Sequence, residues 1–561
     1  MLGMRVRPAV PDEGISMALG PIEPVPVPVL LERSVLRFPN RPAIAFMGRR
    51  WSYAALGAWV ARAARGLQDL GVRRGDRVGL CLPNTPYSVV FYYAALRAGA
   101  IVVNFNPLYV APELRQQIAD SGTTVMVVPD LAAICDKVLG IAVETGLRHV
   151  VVCPMAGILR APKAALWRVF RRRQTAAPTW DARVVPHARV VANAAPPDPV
   201  PVAPDDLAVL QYTGGTTGLP KGAVLTHANV SVNAQQVSRH MPSLRLGEER
   251  LLGVLPFFHV FAMTAVMNSG IEIGAELLLH PRFEIAGVMR ALARERPTVL
   301  HGVPTIYQAI ADAAEKRRAD ISCVRACISG GAPLPPEVRA RFERLTGCKL
   351  VEGYGLTEAS PVLACNPPDG RIKDGSVGVA MPQTVIEIRD LEDPHRVLPV
   401  GERGEVCARG PQVMRGYWRR PDETALTFVD GALRTGDIGH LDADGYLFIT
   451  DRLKDVILCG GYNVYPRLLE DALYQHPAVA EAIVIGVPDA YRGQAPKAFV
   501  TLRAGAAATP DELRNFLSEL VSKIELPREI EIRAMLPRTM VGKLSRKELV
   551  EEERARAAGP Q

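Results

Sequence analysis

Two rhythms of apolar and polar positions alternate between about residue 30 and residue 200. Residues 55–71 and 86–98 carry apolar side chains at helical spacing, whereas 76–82, 123–128 and 149–153 are short apolar runs. The first rhythm suits a helix buried along one stripe, the second a strand. Helices interleaved with apolar strands imply a largely parallel sheet covered on both faces. The pattern breaks at 159–173, and the proline-rich stretch 194–204 reads as a linker back to a strand at 207–211. A second boundary falls near residue 451. Residues 441–449 read as a turn and strand around Asp444-Gly445, followed by a strand at 481–487 and a helix at 510–522. The unit beyond that boundary, about 110 residues, is large enough for a small domain.

A chain of 561 residues is too long for one core, so at least two domains are expected. The most apolar stretch, 251–267, contains Pro256 and His259 and falls short of a spanning length, which predicts a buried core segment. Residues 1–28 hold six prolines and five charged residues and no secretory apolar core, so they read as an extended lead-in. The net charge of +8 comes without basic clusters interleaved with aromatics, which argues against a nucleic-acid binder and leaves anionic ligands or a membrane surface. In 159–173, Leu166, Trp167 and Phe170 can share a helical face among Arg168, Arg171, Arg172 and Arg173. That segment reads equally as an interfacial membrane helix or a solvated insertion. Of nine cysteines only Cys323 and Cys327 are close in sequence, without partners at metal spacing; buried reduced thiols in a cytosolic protein are expected.

The segment 212–222, Tyr-Thr-Gly-Gly-Thr-Thr-Gly-Leu-Pro-Lys-Gly, follows the strand at 207–211. Its glycines allow close backbone approach, its N–H groups can form an anion nest, and its threonines and Lys221 add donors for phosphate. It is not a Walker loop, because Gly222 stands where that pattern needs a hydroxyl after the lysine. Further along lie Gly330-Gly-Ala-Pro333, Glu352-Gly-Tyr-Gly-Leu-Thr-Glu358, Arg434-Thr-Gly-Asp437, Asp451-Arg-Leu-Lys-Asp455, Gly460-Gly-Tyr-Asn-Val-Tyr-Pro466 and Pro537-Arg-Thr-Met-Val-Gly-Lys543. Tyr354 can offer its face to a purine, Glu358 can serve as an oxygen ligand for magnesium, and Asp437 can accept two ribose hydroxyls. In isolation each has a bland counterpart: a turn, a solvated acid, a capping aspartate, a surface lysine.

In order and spacing these motifs resemble the adenylate-forming superfamily of acyl-CoA synthetases, firefly luciferase and peptide-synthetase adenylation domains. The likeness covers roughly residues 30–550 and is nearest to the long-chain fatty acid–CoA ligases. It implies an α/β fold with a large N-terminal domain of parallel-rich sheets and flanking helices over 1–450. A hinge at 451–455 and a small, mobile α+β C-terminal domain over 456–561 follow. It implies ligation of a medium- or long-chain fatty acid to coenzyme A through an acyl-AMP, with Mg2+, ATP and CoA. Thr213, Gly214, Gly215, Thr216, Thr217, Gly218 and Lys221 would cradle phosphate. Gly331, Ala332, Pro333, Gly353, Tyr354, Gly355, Leu356 and Thr357 would hold adenosine and the α-phosphate, Asp437 and Arg452 the ribose. Glu358 and Thr213 would serve the metal, and Lys543 would be the adenylation lysine. Lys454 would be the hinge, Gly460, Gly461 and Tyr462 the loop of the thioester step. His259, Met263, Gly302 and Val303 would wall the acyl pocket, with His259 near the acyl-AMP carbonyl. Met263 replaces a tryptophan gate found in some long-chain relatives. The resemblance also raises acetylation of Lys543 by a lysine acetyltransferase and leaves a homodimer open. It leaves three other readings open as well: a dicarboxylate or aryl acid–CoA ligase, an acyl-AMP ligase serving a carrier protein, and a non-catalytic nucleotide or acyl binder.

Overall fold

The computed structural model describes residues 20–213, 220–460, 462–489, 491–538 and 544–558. Two sheets build the large part. One has seven strands in the order Val184–Pro186, His149–Cys153, Val125–Pro129, Arg77–Leu80, Ile101–Asn104, Leu207–Thr213 and Lys221–Thr226. All neighbours are parallel except the last pair, an antiparallel hairpin. The other has fourteen strands. Its parallel run is Leu350–Gly355, Ala326–Gly330, Val299–Gly302, Arg250–Gly253, Glu276–Leu279 and Pro42–Phe46. Beyond Leu350–Gly355 the sheet turns antiparallel through Val362–Cys365, Gly378–Ala380 and Tyr446–Arg452. The strands of the parallel run are buried almost throughout, as the near-continuous apolar runs require.

Two helices are buried on every side. Pro86–Arg97 is apolar around its circumference, the mark of a core helix. His227–Arg239 is different: it carries Asn229, Ser231, Asn233, Gln235, Gln236 and Ser238, yet every residue is buried. Its amides are consumed by backbone carbonyls from elsewhere in the chain. Asn229 Nδ2 donates to Pro411 O and Val413 O at 2.7 and 2.9 Å, Asn233 Nδ2 to Val362 O at 2.9 Å, and Gln235 Nε2 to Glu23 O at 2.7 Å. Buried polar groups are tolerated when they are paired in this way. Thr226 caps the helix by accepting from Asn229 N at 3.1 Å.

After Arg452 a smaller unit has its own core around Leu469, Leu473, Val484 and Leu513. Its five-stranded sheet runs Tyr462–Val464, Ile457–Cys459, Gly493–Leu502, Val479–Asp489, with Glu529–Ile532 parallel to Gly493–Leu502. Helices Pro466–Tyr474, Pro510–Ser518 and Arg546–Ala558 complete it. The architecture is the expected α/β fold with a large N-terminal and a small C-terminal part.

Several details differ from the sequence reading. A helix, Val27–Arg37, begins inside the lead-in, because Pro26 and Pro28 fix φ at a helix start and do not forbid it. In the short helix Lys163–Phe170, Trp167 packs against the core, leaving Leu166, Val169 and Phe170 exposed. The exposed apolar face is therefore one without the tryptophan. All nine cysteines are buried and unbridged, and the neighbour of Cys327 is Cys348 rather than Cys323. Among the described residues no helix is long and apolar enough to cross a membrane. The apolar segment after Arg250–Gly253 is buried as expected and forms a π-helical stretch, Ala262–Asn268. Such stretches recur at functional sites.

Candidate active site

Leu207–Thr213 and Lys221–Thr226 place Thr213 opposite Lys221, with Thr213 Oγ1 3.5 Å from Lys221 O. Gly214, Gly215, Thr216, Thr217 and Gly218 lie outside the described residues. The hairpin is covered by a segment from elsewhere in the chain. Val224 N donates to Gly416 O at 2.9 Å and Trp418 N to Gly222 O at 2.8 Å. This delivers Tyr417 and the helix Pro421–Thr427 to Lys221. The Lys221 ammonium pairs with Glu423 and lies 5.1 Å over the Tyr417 ring. Tyr417 Oη in turn donates to Glu358 Oε1 at 2.7 Å. Burial and the Glu358 carboxylate push the Tyr417 hydroxyl well above its ordinary range, so it remains a donor. One ring thus joins the candidate phosphate cation to the candidate metal carboxylate.

Among the described residues no group of three or more His, Cys, Asp or Glu side chains could hold a metal. Glu358 is a lone carboxylate with one oxygen fixed by Tyr417. That donor set suits magnesium, which takes its other ligands from water and phosphate oxygens.

The nucleotide side is built at the ends of two parallel strands. Ala326–Gly330 runs into Gly331, whose φ of +80° favours glycine, followed by Ala332 and Pro333 in a turn before helix Pro336–Thr346. Leu350–Gly355 ends where a Cβ on Gly355 would meet Pro361 O at 2.0 Å, so no side chain fits there. Tyr354 Oη donates to Asp437 Oδ2 at 2.6 Å, and Arg452 Nε donates to Asp437 Oδ1 at 3.2 Å. Asp437 stands opposite Arg452 in the antiparallel pair Ala432–Leu441 and Tyr446–Arg452. Tyr354 therefore engages Asp437 through its hydroxyl, which the sequence pattern did not reveal.

A cavity of about 160 Å³ opens between these glycine turns and the π-helical segment. Its lining includes His259, Phe261, Val303, Gly353, Gly355, Leu356 and Thr357, and is mostly apolar. Met263 and Gly302 are not part of this wall. Met263 is buried with its Sδ 3.3 Å from Asn104 Nδ2, and Gly302 backs onto Tyr307. Met263 N donates to His259 O at 2.9 Å, one helical turn on, yet Phe261, Ala262 and Ala265 face the cavity instead.

Sequence reasoning missed the residues that hold this wall. Asn84 Nδ2 donates to Gly253 O and Leu255 O, and its Oδ1 accepts from Phe257 N. Gln211 Nε2 donates to Phe258 O at 2.8 Å. His240 lines the cavity, buried, with Nε2 3.2 Å from Asn366 O, and burial lowers its pKa. Behind Phe261, at 6.4 Å between rings, lies His301, with neither ring nitrogen paired; burial pulls it down to about 4.

At the junction with the small part, burial and Arg452 pull the Lys454 ammonium below its usual value. Gly460 adopts φ +58° and Tyr462 is 66% exposed, while Gly461 lies outside the described residues. Lys543 also lies outside them; Arg538 and Leu544, which flank it in sequence, form an antiparallel bridge. Arg546, two positions after that bridge, holds Asp455 at 3.1 Å and Glu470 at 2.7 Å.

Residues 31–418 match the family described as AMP-binding enzyme, and residues 468–543 match the AMP-binding enzyme C-terminal domain. The chain belongs to the AMP-binding enzyme family. It is 40% identical over 532 residues to a long-chain-fatty-acid–CoA ligase of Bacillus subtilis (strain 168), covering 93% of this chain and 94% of that protein. A ligase of the same description from Escherichia coli O157:H7 is 39% identical over 539 residues, 94% of each chain. Among solved structures, ATP-bound MatB from Rhodopseudomonas palustris is similar with a TM-score of 0.80 at 30% identity, covering 94% of this chain and 98% of that one.

Proposed function

We propose that the protein joins a medium- or long-chain fatty acid to coenzyme A through an acyl-AMP intermediate. The observation that carries this reading is the Lys221–Tyr417–Glu358 linkage together with the Tyr354–Asp437 clamp, with Tyr354 and Thr357 lining an apolar cavity. Relatives named long-chain-fatty-acid–CoA ligases over nearly the whole chain support it. In the first step the acid's carboxylate oxygen attacks the α-phosphorus of ATP and pyrophosphate leaves. Asp437 and Arg452 fix the ribose, Tyr354 flanks the purine, and Thr357 and Lys543 stabilise the α-phosphate. Lys221 exchanges Glu423 for phosphate oxygens. Glu358, with Thr213, would hold Mg2+, which neutralises phosphate charge. Catalysis is then mainly positioning and electrostatics. In the second step the small domain turns about the 451–455 segment, withdraws Lys543, and the CoA thiolate displaces AMP from the acyl carbon.

AMP release from ATP, with and without CoA, across short to long monocarboxylates, dicarboxylates and benzoates tests the reading. CoA-dependent AMP and thioester peaking at one long chain length is expected. Pyrophosphate exchange without CoA turnover would indicate a carrier-protein ligase, and inactivity on every acid a binding protein.

Tyr417→Phe removes the donor to Glu358 but keeps the ring under Lys221. Losing one hydrogen bond to a charged group is worth roughly 1.5 kcal/mol, so the Mg2+ concentration for half-maximal rate should rise about tenfold. An unchanged metal dependence would separate Tyr417 from the metal carboxylate.

The exposed Leu166, Val169 and Phe170 among exposed arginines support peripheral contact with an anionic bilayer. Co-sedimentation with anionic vesicles but not zwitterionic ones, lost in Phe170→Asp, is the expected outcome.

A further inference from the structure

At the opposite end of the sheet from the nucleotide turns, two thiols face each other. Cys327 is the second residue of Ala326–Gly330, about 10 Å of strand from Gly330. Cys348 precedes the neighbouring strand Leu350–Gly355. Their sulfurs are 3.3 Å apart, and Thr346 Oγ1 lies 3.4 Å from Cys348 Sγ. Cys327 is enclosed, but Cys348 forms part of the wall of a surface cavity of about 300 Å³ shared with Lys349, Arg325 and Glu249. The other seven cysteines are buried and line neither this cavity nor the nucleotide cavity, apart from Cys365 in the latter.

We infer that Cys348 and Cys327 form a dithiol site that small hydroperoxides oxidise reversibly, Cys348 reacting first and Cys327 resolving it. The order follows from access: of the two thiols, Cys348 is the one that lines the surface cavity. The contact with the Cys327 thiol and with Thr346 also lowers the Cys348 thiol, while burial raises Cys327. In the first step the Cys348 thiolate attacks the outer peroxide oxygen. The O–O bond breaks, the departing oxygen takes a proton, and Cys348 carries a sulfenic hydroxyl. In the second, Cys327 sulfur attacks Cys348 sulfur. The S–OH bond breaks, and hydroxide leaves as water with the Cys327 proton. Two thiols give up two electrons, and the hydroperoxide becomes an alcohol and water. The sulfurs need close only to about 2.05 Å.

The full chain, treated with hydrogen peroxide while folded, then alkylated and digested with trypsin, tests this. Cys327 and Cys348 fall in separate peptides, 326–339 and 345–349. The expected product is one cross-linked pair of these peptides, lighter by two hydrogens and restored by a dithiol reductant. In Cys327→Ser, Cys348 should be trapped by dimedone as the sulfenic acid. In Cys348→Ser, Cys327 should stay a free thiol. Preferential oxidation of another cysteine in the wild-type chain, or oxidation of Cys348 to the sulfonic acid with Cys327 left free, would overturn the assignment. The wild-type result stands without the variants, so a variant that misfolds does not remove the test.

Discussion

Replacing Lys543 with alanine is expected to slow acyl-adenylate formation from the free acid by roughly a hundred- to a thousandfold, the usual cost of losing one stabilising group at a developing charge. This rests on the proposed reaction. In sequence the lysine follows Gly542 and lies between Arg538 and Leu544, which form an antiparallel bridge, and Arg546 just beyond that bridge is moored to Asp455 and Glu470. Removing one side chain should leave that mooring intact. Thioester formation from supplied acyl-AMP should therefore continue near the wild-type rate. Measuring both half-reactions separates the cases: equal loss of both would count against a domain turn that uses the lysine in one step only.

His301→Leu is expected to gain about 2 kcal/mol of stability relative to wild type as pH falls from 7 to 5. The buried imidazole is held at about 4, against an ordinary 6.5, by burial alone. A depressed histidine favours the unfolded chain as it protonates. Its stability contribution is complete above the ordinary value and is lost as pH falls toward the folded one. Leucine removes both unpaired nitrogens and the titration together. The comparison must be differential, because other groups hide it in the wild type. His187 and His227, also lowered to about 4 by burial, act with the same sign. Glu352 and Glu470, raised to about 7 by burial against neighbouring arginines, act with the opposite sign, since their protonated forms favour the fold. Denaturant unfolding of both proteins at the two pH values checks it; a pH-independent difference would mean that His301 charges without cost.

The fold class was legible because its signals are local. Residues 55–71 and 86–98 repeat at helical spacing, and the strand at 149–153 is bounded as the pattern predicted. Tyr354 could be named from its glycine-framed motif, and Asp437 and Arg452 from motifs that match the family; the structure brings the three into contact. Tyr417 and Glu423 were invisible for the converse reason. Neither stands in a motif of its own, and their meeting with Lys221 depends on a strand-edge pairing nearly two hundred residues away in sequence. Asn84 was hidden in the same way: an asparagine before a helix reads as a cap, and nothing local says that it will hold the loop leading to His259. Met263 shows the limit of counting positions, because one helical turn beyond His259 the side chain is packed into the core and not on the cavity wall.

The helix His227–Arg239 has a further consequence. Here the segments at 411–413 and 362 and the N-terminal strand of chain at Glu23 are tied to one polar post. A substitution such as Asn233→Leu would look harmless on any scale that equates burial with hydrophobicity. It would nevertheless unfasten Val362, whose neighbour Pro361 backs onto Gly355 beside Tyr354. Errors in that helix would therefore be felt as lost alignment at the nucleotide site before they were felt as unfolding.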